Sequence, residues 1–344
     1  DMRWQLPAAS AAGTFKGWIN PLKNFVTDPD KGSGIRVFNL ADGETTEELQ
    51  KLIPEFWARS EEMARHLQRL GRFRQGTGRC STEVDPHDAL PHWKRLRDHG
   101  VALSGKVINI GASDGKSEDP LFALISQEGL SGVAVEADPQ QCEKFRDNVP
   151  SVELHCEVAT PYNILDLVLA TVGPFVDVLK LDVDSYDCAL LEELLPNVQA
   201  HLLLTEINPG IPPPFKFAMR YHTRLLPFFE SLNSIQDVPI RGCSLSYVVD
   251  LASRYGYELV AFGIHDALFS HKNVRHIWDV RPPVDEFDCY NESFVSLNGI
   301  PISSARDWFF GGDIHSNLAD IWSFFVNWSR EFAGGELFPF VLSV

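Results

Sequence analysis

Apolar and polar positions follow two different patterns along the central part of the chain. Short apolar runs, many of them β-branched, predict strands at residues 107–110, 133–137, 152–155, 176–181, 201–207, 257–262 and 267–271. Between them, apolar residues at helical spacing predict helices at residues 120–128, 139–148 and 244–255, and one that ends at residue 195. Strands that alternate with helices pack as a parallel sheet covered on both faces. The pattern therefore predicts an α/β fold, a doubly wound, mostly parallel, Rossmann-like sheet whose strand ends meet along one edge.

The regions that flank this sheet have a different character. Residues 1–45 are rich in Gly, Pro, Asp and Asn, which predicts an irregular arm. Apolar spacing predicts helices at 46–70 and 87–99. Residues 277–344 hold many phenylalanines and four tryptophans, Trp278, Trp308, Trp322 and Trp328.

We therefore expect three parts: an N-terminal arm and helical extension at 1–80, a central domain at 81–276 and an aromatic-rich C-terminal extension at 277–344. Large aromatic side chains are rarely left exposed in a contiguous patch. The extension is expected to pack either on the chain's own core or on a protein partner.

Charge narrows the range of partners. The chain of 344 residues has a formal net charge of −17 and a pI of about 5.0. An acidic protein repels phosphate backbones unless its basic residues are clustered, and the stretch from Arg65 to Arg79 is most simply a solvated helix face and loop. We predict no nucleic-acid partner. No apolar run approaches the length of a membrane-spanning helix, so no transmembrane segment is predicted.

The six cysteines are scattered and form no C-x-x-C pair. In a chain of this length, such spacing predicts mostly free, buried thiols in place of a disulfide framework or a zinc site. The sequence starts at Asp1 without a methionine, which would fit a mature form whose targeting segment has been removed. We expect a soluble protein, with an organelle as one open alternative for its compartment.

A glycine-containing loop follows the first predicted strand, at residues 109–115. Gly111 would allow a sharp turn, and Gly115 would leave room where the backbone approaches a ligand. Dinucleotide sites favour G-x-G-x-x-G, whereas this loop has G-x-x-x-G with Asp114 inside it. That carboxylate disfavours a pyrophosphate and favours a ligand with an ammonium group and no phosphate, such as S-adenosylmethionine. Asn109 and Ser113 are further candidate contacts, and a tight turn without a ligand is the alternative.

Carboxylates at the ends of the next two strands extend the candidate cofactor site. Glu136 ends the second predicted strand, where a carboxylate can accept both hydroxyls of a ribose. Asp138 is the alternative for that role, and Glu157, after the third strand, is a further candidate. A solvated acid at a strand end is the simpler interpretation of each residue.

Asp182 and Asp184 follow the fourth predicted strand and face the same side of an extended chain. Paired carboxylates can raise one pKa and provide a general base. They can also hold a divalent cation with Glu206 as a third ligand, or Asp184 can cap the following helix. We take both aspartates as candidate catalytic residues and predict no resident metal. Glu206, Asn208 and His222 are candidates for the acceptor side, next to a proline-rich loop at 209–214.

Several of these segments resemble FkbM-type methyltransferases. The residues I-N-I-G-A-S-D-G at 108–115 resemble the D-x-G-A-x-x-G loop of the family, and D-V-L-K-L-D-V-D-S-Y-D at 177–187 resembles its L-K-I-D-V-E-G-x-E segment. Gly242-Cys243-Ser244-Leu245 and Gly256-Tyr257-Glu258-Leu259 resemble its closing helix and strand. Asn109 stands where the family has an acid, and Ser185 where it has a glycine.

The resemblance covers about residues 105–272. It implies a seven-stranded class I methyltransferase fold that binds S-adenosylmethionine through Gly111, Gly115 and Glu136, with Asp182 near the transferred methyl group. The implied reaction is O-methylation of a hydroxyl on a sugar, lipid or natural product. The alternative is a catalytically inactive relative that serves, through residues 277–344, as a subunit of a larger complex, for which an organelle is one option.

Overall fold

The computed structural model describes residues 37–38, 78–80, 84–230, 239–263, 265–295, 305, 308–309, 314–332 and 338–344. The predicted helix at 46–70 lies outside these residues. So do the predicted arm, apart from Val37–Phe38, and the basic stretch, apart from Arg79.

The strands in chain order are β1 (Val37–Phe38), β2 (Lys106–Ile110), β3 (Ser131–Glu136), β4 (Val152–Cys156), β5 (Phe175–Leu181), β6 (Gln199–Glu206), β7 (Lys216–Met219), β8 (Tyr257–Phe262), β9 (Asp266–His271) and β10 (Phe340–Ser343). The α-helices are α1 (Ala89–Asp98), α2 (Phe122–Glu128), α3 (Pro139–Asn148), α4 (Ile164–Val172), α5 (Asp187–Leu194), α6 (Leu225–Glu230), α7 (Leu245–Arg254), α8 (Glu286–Tyr290) and α9 (Ile314–Phe332).

Seven strands form one sheet in the order β4-β3-β2-β5-β6-β9-β8. All pairs are parallel except the two made by β9, which runs antiparallel to β6 and β8. This confirms the predicted doubly wound, mostly parallel seven-stranded Rossmann-like sheet. The chain winds outward from β2 through β3 to β4, then returns to the other side of β2 at β5. The crevice between the ends of β2 and β5 is therefore the topological switch point, where open α/β sheets bind ligands.

Helices cover both faces of the sheet because its central strands are apolar on both sides. Helices α4, α5 and α7 contribute to one buried cluster, and α1, α2 and α3 contribute to the other. A buried carboxylate fixes the amino-terminal side of the sheet. Asp177 on β5 accepts hydrogen bonds from the Trp93 indole (2.9 Å) and from the backbone N–H groups of Ser104 (2.6 Å) and Gly105 (3.0 Å).

A second, antiparallel sheet has the order β1-β10-β7, and the sequence pattern did not predict it. It brings the end of the chain onto the face that carries α5 and α7. The ring of Phe217 on β7 lies 5.1 Å from Phe325 on α9 and 5.8 Å from Phe340 on β10, between centroids. Trp308 and Trp328 are buried in the same cluster. Packing on the chain's own core, one of the two alternatives, thus accounts for these aromatic residues of 277–344.

All six cysteines form disulfides, Cys80–Cys289, Cys142–Cys156 and Cys188–Cys243. The expectation of mostly free thiols was therefore wrong. The paired residues are 14 to 209 positions apart in sequence, so their proximity is a product of the sheet topology and leaves no local spacing signal. In the described part of the chain, no helix is long and apolar enough to cross a membrane.

Candidate active site at the switch point

The loop after β2 passes very close to the end of β5. Gly111 has φ +72°, and a Cβ atom there would lie 1.6 Å from the carbonyl oxygen of Asp182. Lys180, buried beneath the loop, donates to the carbonyl of Gly111 at 2.6 Å, and its Nζ lies 3.4 Å from Oδ2 of Asp182. Burial alone would lower the pKa of Lys180, but the carboxylates of Asp182 and Asp119 outweigh it and raise the pKa. The lysine therefore remains charged and holds the loop against β5.

Three other predicted residues of the loop have their contacts within the protein and do not line the cavity described below. A Cβ at Gly115 would lie 2.5 Å from the ring of Phe145 on α3, so this glycine makes room for a core side chain and not for a ligand. Asp114 accepts hydrogen bonds from Lys116 and Ser117 within its own turn. Asn109 is fully buried and donates to Asp119 at 2.7 Å.

Glu136 connects two loops at the crevice. Its Oε2 accepts from the backbone N–H of Ser113 at 2.7 Å, and its Oε1 accepts from that of Asp138 at 2.8 Å. Asp138 in turn caps α3 by accepting from Gln140. Each carboxylate oxygen of Glu136 has a second lone pair that remains available to a ligand.

A cavity of about 320 Å³ opens at the ends of β2, β3, β4 and β5. That volume lies within the range of small-molecule sites, about 300–1,000 Å³. Of the predicted residues, Gly111, Ser113, Glu136, Asp138, Glu157, Asp182 and Asp184 line it. Five of these are carboxylates, and no Lys, Arg or His is among the described residues that line the cavity.

Next to the cavity, the carboxylates of Asp182, Asp184 and Glu206 converge, with oxygen atoms within 4.8 Å of one another. Asp184 has a left-handed backbone, φ +59°, which turns the chain from β5 towards α5. Arg241, from the segment before α7, forms an ion pair with Asp184, and its Nη2 lies 3.1 Å from Oε1 of Glu206. The guanidinium thus neutralises part of the cluster.

Burial and mutual repulsion change the pKa values of this cluster. Desolvation, followed by repulsion from Asp182, raises the pKa of Glu206 well above its ordinary value, although Arg241 opposes the shift. Asp187, fully buried at the start of α5, also has a raised pKa, from burial and then from Asp182. The site can therefore hold a proton on one of its carboxylates near neutral pH.

The structure rules out one of the three interpretations of the aspartate pair and retains the other two. Helix capping by Asp184 is wrong, because α5 begins after Tyr186 without a side-chain cap, and Asp187 instead accepts from the N–H groups of Val183 and Ser185. The remaining uses of Asp182 and Asp184 are a general base and a cation ligand. A divalent cation would need to replace Arg241 as the partner of Asp184 and Glu206.

The three residues predicted for the acceptor side lie in different places. Glu206 joins the carboxylate cluster, but Asn208 donates to the carbonyl groups of Pro239 and Arg241, both at 2.9 Å, and so supports the segment that carries Arg241. His222 packs against Phe338, with ring centroids 5.7 Å apart, and does not line the cavity.

Sequence reasoning missed three residues at this edge. Tyr186 lines the cavity, and its hydroxyl donates to the carbonyl of Ala159 at 2.7 Å. Arg241 directly precedes the Gly242–Leu245 motif but is not part of it. The third is His265, between β8 and β9, whose pKa is lowered by burial and then by Arg241. The apolar runs place the strand ends, but they do not show which residues of the following loops, or of a longer connection as for Arg241, reach those ends.

No protein-family model and no curated protein match the chain. Among solved structures, the chain is similar to an O-methyltransferase family protein from Burkholderia thailandensis (13% identity, 54% of this chain and 56% of that one, TM-score 0.33). It is also similar to a TehB-like SAM-dependent methyltransferase from Corynebacterium glutamicum (14% identity, 62% of this chain and 99% of that one, TM-score 0.32). A third similar structure is the glycopeptide N-methyltransferase MtfA complexed with S-adenosylmethionine (14% identity, 55% of this chain and 95% of that one, TM-score 0.31). The fold assignment rests on the strand order of the seven-stranded sheet.

Proposed function

We propose that this chain is an S-adenosylmethionine-dependent methyltransferase that methylates a hydroxyl group on a sugar, lipid or natural product. The cavity at the switch point carries the proposal, because five carboxylates border it and, among the described residues, no basic side chain does. A pyrophosphate would meet only negative charge there. The sulfonium and ammonium groups of S-adenosylmethionine are cationic and would be attracted.

The residues at the cavity fit the separate parts of this cofactor. Glu136 has free lone pairs for ribose hydroxyls, as acidic residues at this position have in nucleotide sites. Gly111 and Asp182 border the other end, where a carboxylate would face the ammonium group. Asn109 replaces the acid of the family that the sequence resembles. Asp182 is the carboxylate next to Gly111 that supplies negative charge in its place.

Bound cofactor would supply an electrophilic methyl group on its sulfonium. The chain's own part is to orient the acceptor and to take its proton. Asp182 and Asp184 lie between the cavity and the Glu206–Arg241 pair, so an acceptor hydroxyl directed at the cofactor would lie beside these carboxylates. Arg241 keeps Asp184 in place. The resemblance at 108–115 and 177–187 supports the finer assignment to the FkbM type.

Titration calorimetry with S-adenosylmethionine and S-adenosylhomocysteine tests the proposal directly. We expect both to bind, and no heat at millimolar cofactor would overturn it. Release of S-adenosylhomocysteine is then measured with a panel of sugars, glycolipids and phenolic natural products. Asn109, in place of the family's acid, is the observation that favours an inactive relative. An inactive relative should bind the cofactor but give no turnover with any member of the panel.

A further inference from the structure

One disulfide lies directly behind the wall of the cavity, next to residues that line it. Cys142 is the fourth residue of α3, and its Sγ is 3.5 Å from the carbonyl oxygen of Glu136. Cys156 ends β4 and is the register partner of Glu136 on β3. The disulfide Cys142–Cys156 therefore fastens α3 to the edge of the sheet where Glu136 is presented.

The chain neighbours of both cysteines line the cavity. Gln141 precedes Cys142, and Glu157 follows Cys156. Without the disulfide, only noncovalent contacts would hold the start of α3 against the end of β4. A binding site whose parts are held in place before the ligand arrives loses less entropy on binding than one that must be ordered.

Accessibility distinguishes this disulfide from the other two. Cys142 is fully buried, whereas Cys156 is exposed. In Cys188–Cys243 both partners are fully buried, and in Cys80–Cys289 one is fully buried and the other is partly buried. Thiol–disulfide exchange requires access of the attacking thiolate to one sulfur, and here Cys156 is the partner on the exposed side.

We propose that Cys142–Cys156 is a positioning element of the cofactor site and makes cofactor affinity depend on thiol redox state. The inference rests on the proposed function. A thiolate of a dithiol reductant attacks Sγ of Cys156, and the S–S bond breaks with Cys142 leaving as a thiolate. The second thiol of the reductant then displaces Cys156. The protein gains two electrons and two protons, and the reductant becomes a disulfide.

The test uses the full chain, with S-adenosylhomocysteine as the probe. The oxidised chain is treated with increasing concentrations of dithiothreitol. In one portion of each sample the free thiols are alkylated, and mass spectrometry identifies the cysteines that are labelled first. We expect Cys142 and Cys156 to be labelled before the other four. Calorimetry on that partly reduced chain should give an affinity for the probe about tenfold weaker than that of the oxidised chain, since one wall of the site must then be ordered on binding.

Two double variants separate positioning from general stability. C142S/C156S should bind the probe as weakly as the reduced chain and should not respond to dithiothreitol. C80S/C289S removes a disulfide whose described chain neighbours, unlike those of Cys142 and Cys156, do not line the cavity. It should lower the melting temperature but leave affinity unchanged. If C142S/C156S does not fold, the selectively reduced wild-type chain provides the same comparison.

Equal affinity in the oxidised and selectively reduced chains would overturn the inference and leave the proposed function intact. So would labelling of Cys142 and Cys156 after the other cysteines. Recovery of affinity when the reduced chain is reoxidised with glutathione disulfide is the expected result. Failure of the oxidised chain to bind the probe at all would instead overturn the proposed function.

Discussion

The guanidinium of Arg241 lies 3.1 Å from the carboxylate of Glu206, measured from Nη2 to Oε1. Their side chains are only 12% and 13% exposed, so this pair is shielded from solvent. The same guanidinium pairs with Asp184, the carboxylate that borders the cavity. Arg241 thus joins the buried Glu206, at the end of β6, to Asp184 at the cavity, where we place the acceptor.

Replacement of Arg241 by glutamine is expected to destabilise the chain. The free energy of unfolding should fall by about 3 kcal/mol at pH 8, because two carboxylates lose their shared cation. The loss should be smaller at pH 5, where Glu206 can bind a proton. Urea unfolding at both pH values measures this difference.

A surface pair provides the control for that substitution. Arg254 pairs with Asp250 on the same helix, and its side chain is 46% exposed. R254Q should therefore cost less than about 1 kcal/mol at either pH. Equal losses for R241Q and R254Q would mean that the Arg241 pair is no stronger than a surface salt bridge.

A buried acid outside the candidate site should contribute to the pH dependence of stability. Glu286 accepts from Ser246 at 2.9 Å, and its Oε2 has no hydrogen-bond partner among the described residues. Burial raises its pKa from 4.5 to about 7. Because the folded chain retains this proton to higher pH than the unfolded chain, the free energy of unfolding should fall as pH rises from about 4.5 to about 7, by up to roughly 3 kcal/mol.

The variant E286Q should remove the part of the fall that Glu286 contributes, since glutamine stays neutral and still accepts from Ser246. Asp187 and Glu206 are shifted in the same direction, so the part that these two acids contribute should remain. D279N, at a carboxylate that is 87% exposed, is the control and should leave the slope unchanged. Thermal melts from pH 4 to pH 8 make the comparison. An unchanged slope in E286Q would show that Glu286 ionises normally.

Hydrophobic patterning predicted the strands of the large sheet because each is a continuous apolar run between polar turns. The apolar pattern did not predict the helix Ile164–Val172, which lies between β4 and β5 in the chain. That helix is apolar on most of its surface, and a uniformly apolar segment shows little helical periodicity. The strands β7 and β10 are four residues each, and their register partners are 121 to 127 positions apart, from Phe340 with Met219 to Ser343 with Lys216. Such long-range pairing leaves no local signal.

The candidate site was predictable only where it follows strand ends. Glu136, Asp182 and Glu206 each end or follow a strand, so parallel topology alone brings them to one edge. Arg241 reaches that edge through the segment before α7, held there by Asn208 and by the disulfide between Cys188 and Cys243. Those contacts depend on the folded chain, and spacing in the sequence does not show them.

The disulfide Cys188–Cys243 should contribute strongly to stability. It joins the start of α5 to the segment that carries Arg241, and both cysteines are fully buried. C188S/C243S is expected to lower the free energy of unfolding by about 2–4 kcal/mol. Urea unfolding of wild type with and without reductant gives a second measurement. If the variant matches the oxidised wild-type chain, this disulfide does not form.

The close approach of Gly111 to Asp182 can be tested against a glycine with the same backbone but open surroundings. Gly111 and Gly129 both have φ +72°, yet a Cβ at Gly129 would meet nothing within 4 Å. G129A should cost about 1 kcal/mol from the left-handed backbone alone. G111A should cost clearly more and abolish measurable binding of S-adenosylhomocysteine, because the loop must move away from β5. Equal costs in urea unfolding would contradict the close contact.

Replacement of Glu136 by glutamine tests the site with almost no change of volume. The amide can still accept from Ser113 or Asp138 through its single oxygen, but its NH₂ group would face the other backbone N–H. It also loses the charge-assisted acceptance of ribose hydroxyls, and hydrogen bonds to charged groups contribute about 1.5–3 kcal/mol. Affinity for S-adenosylhomocysteine should therefore fall by about tenfold or more. E153Q, on the neighbouring strand with a side chain that is 56% exposed and outside the cavity, should bind as wild type does. If E136Q retains full affinity in calorimetry, Glu136 does not contact the ribose, and Asp138 is the next carboxylate to replace.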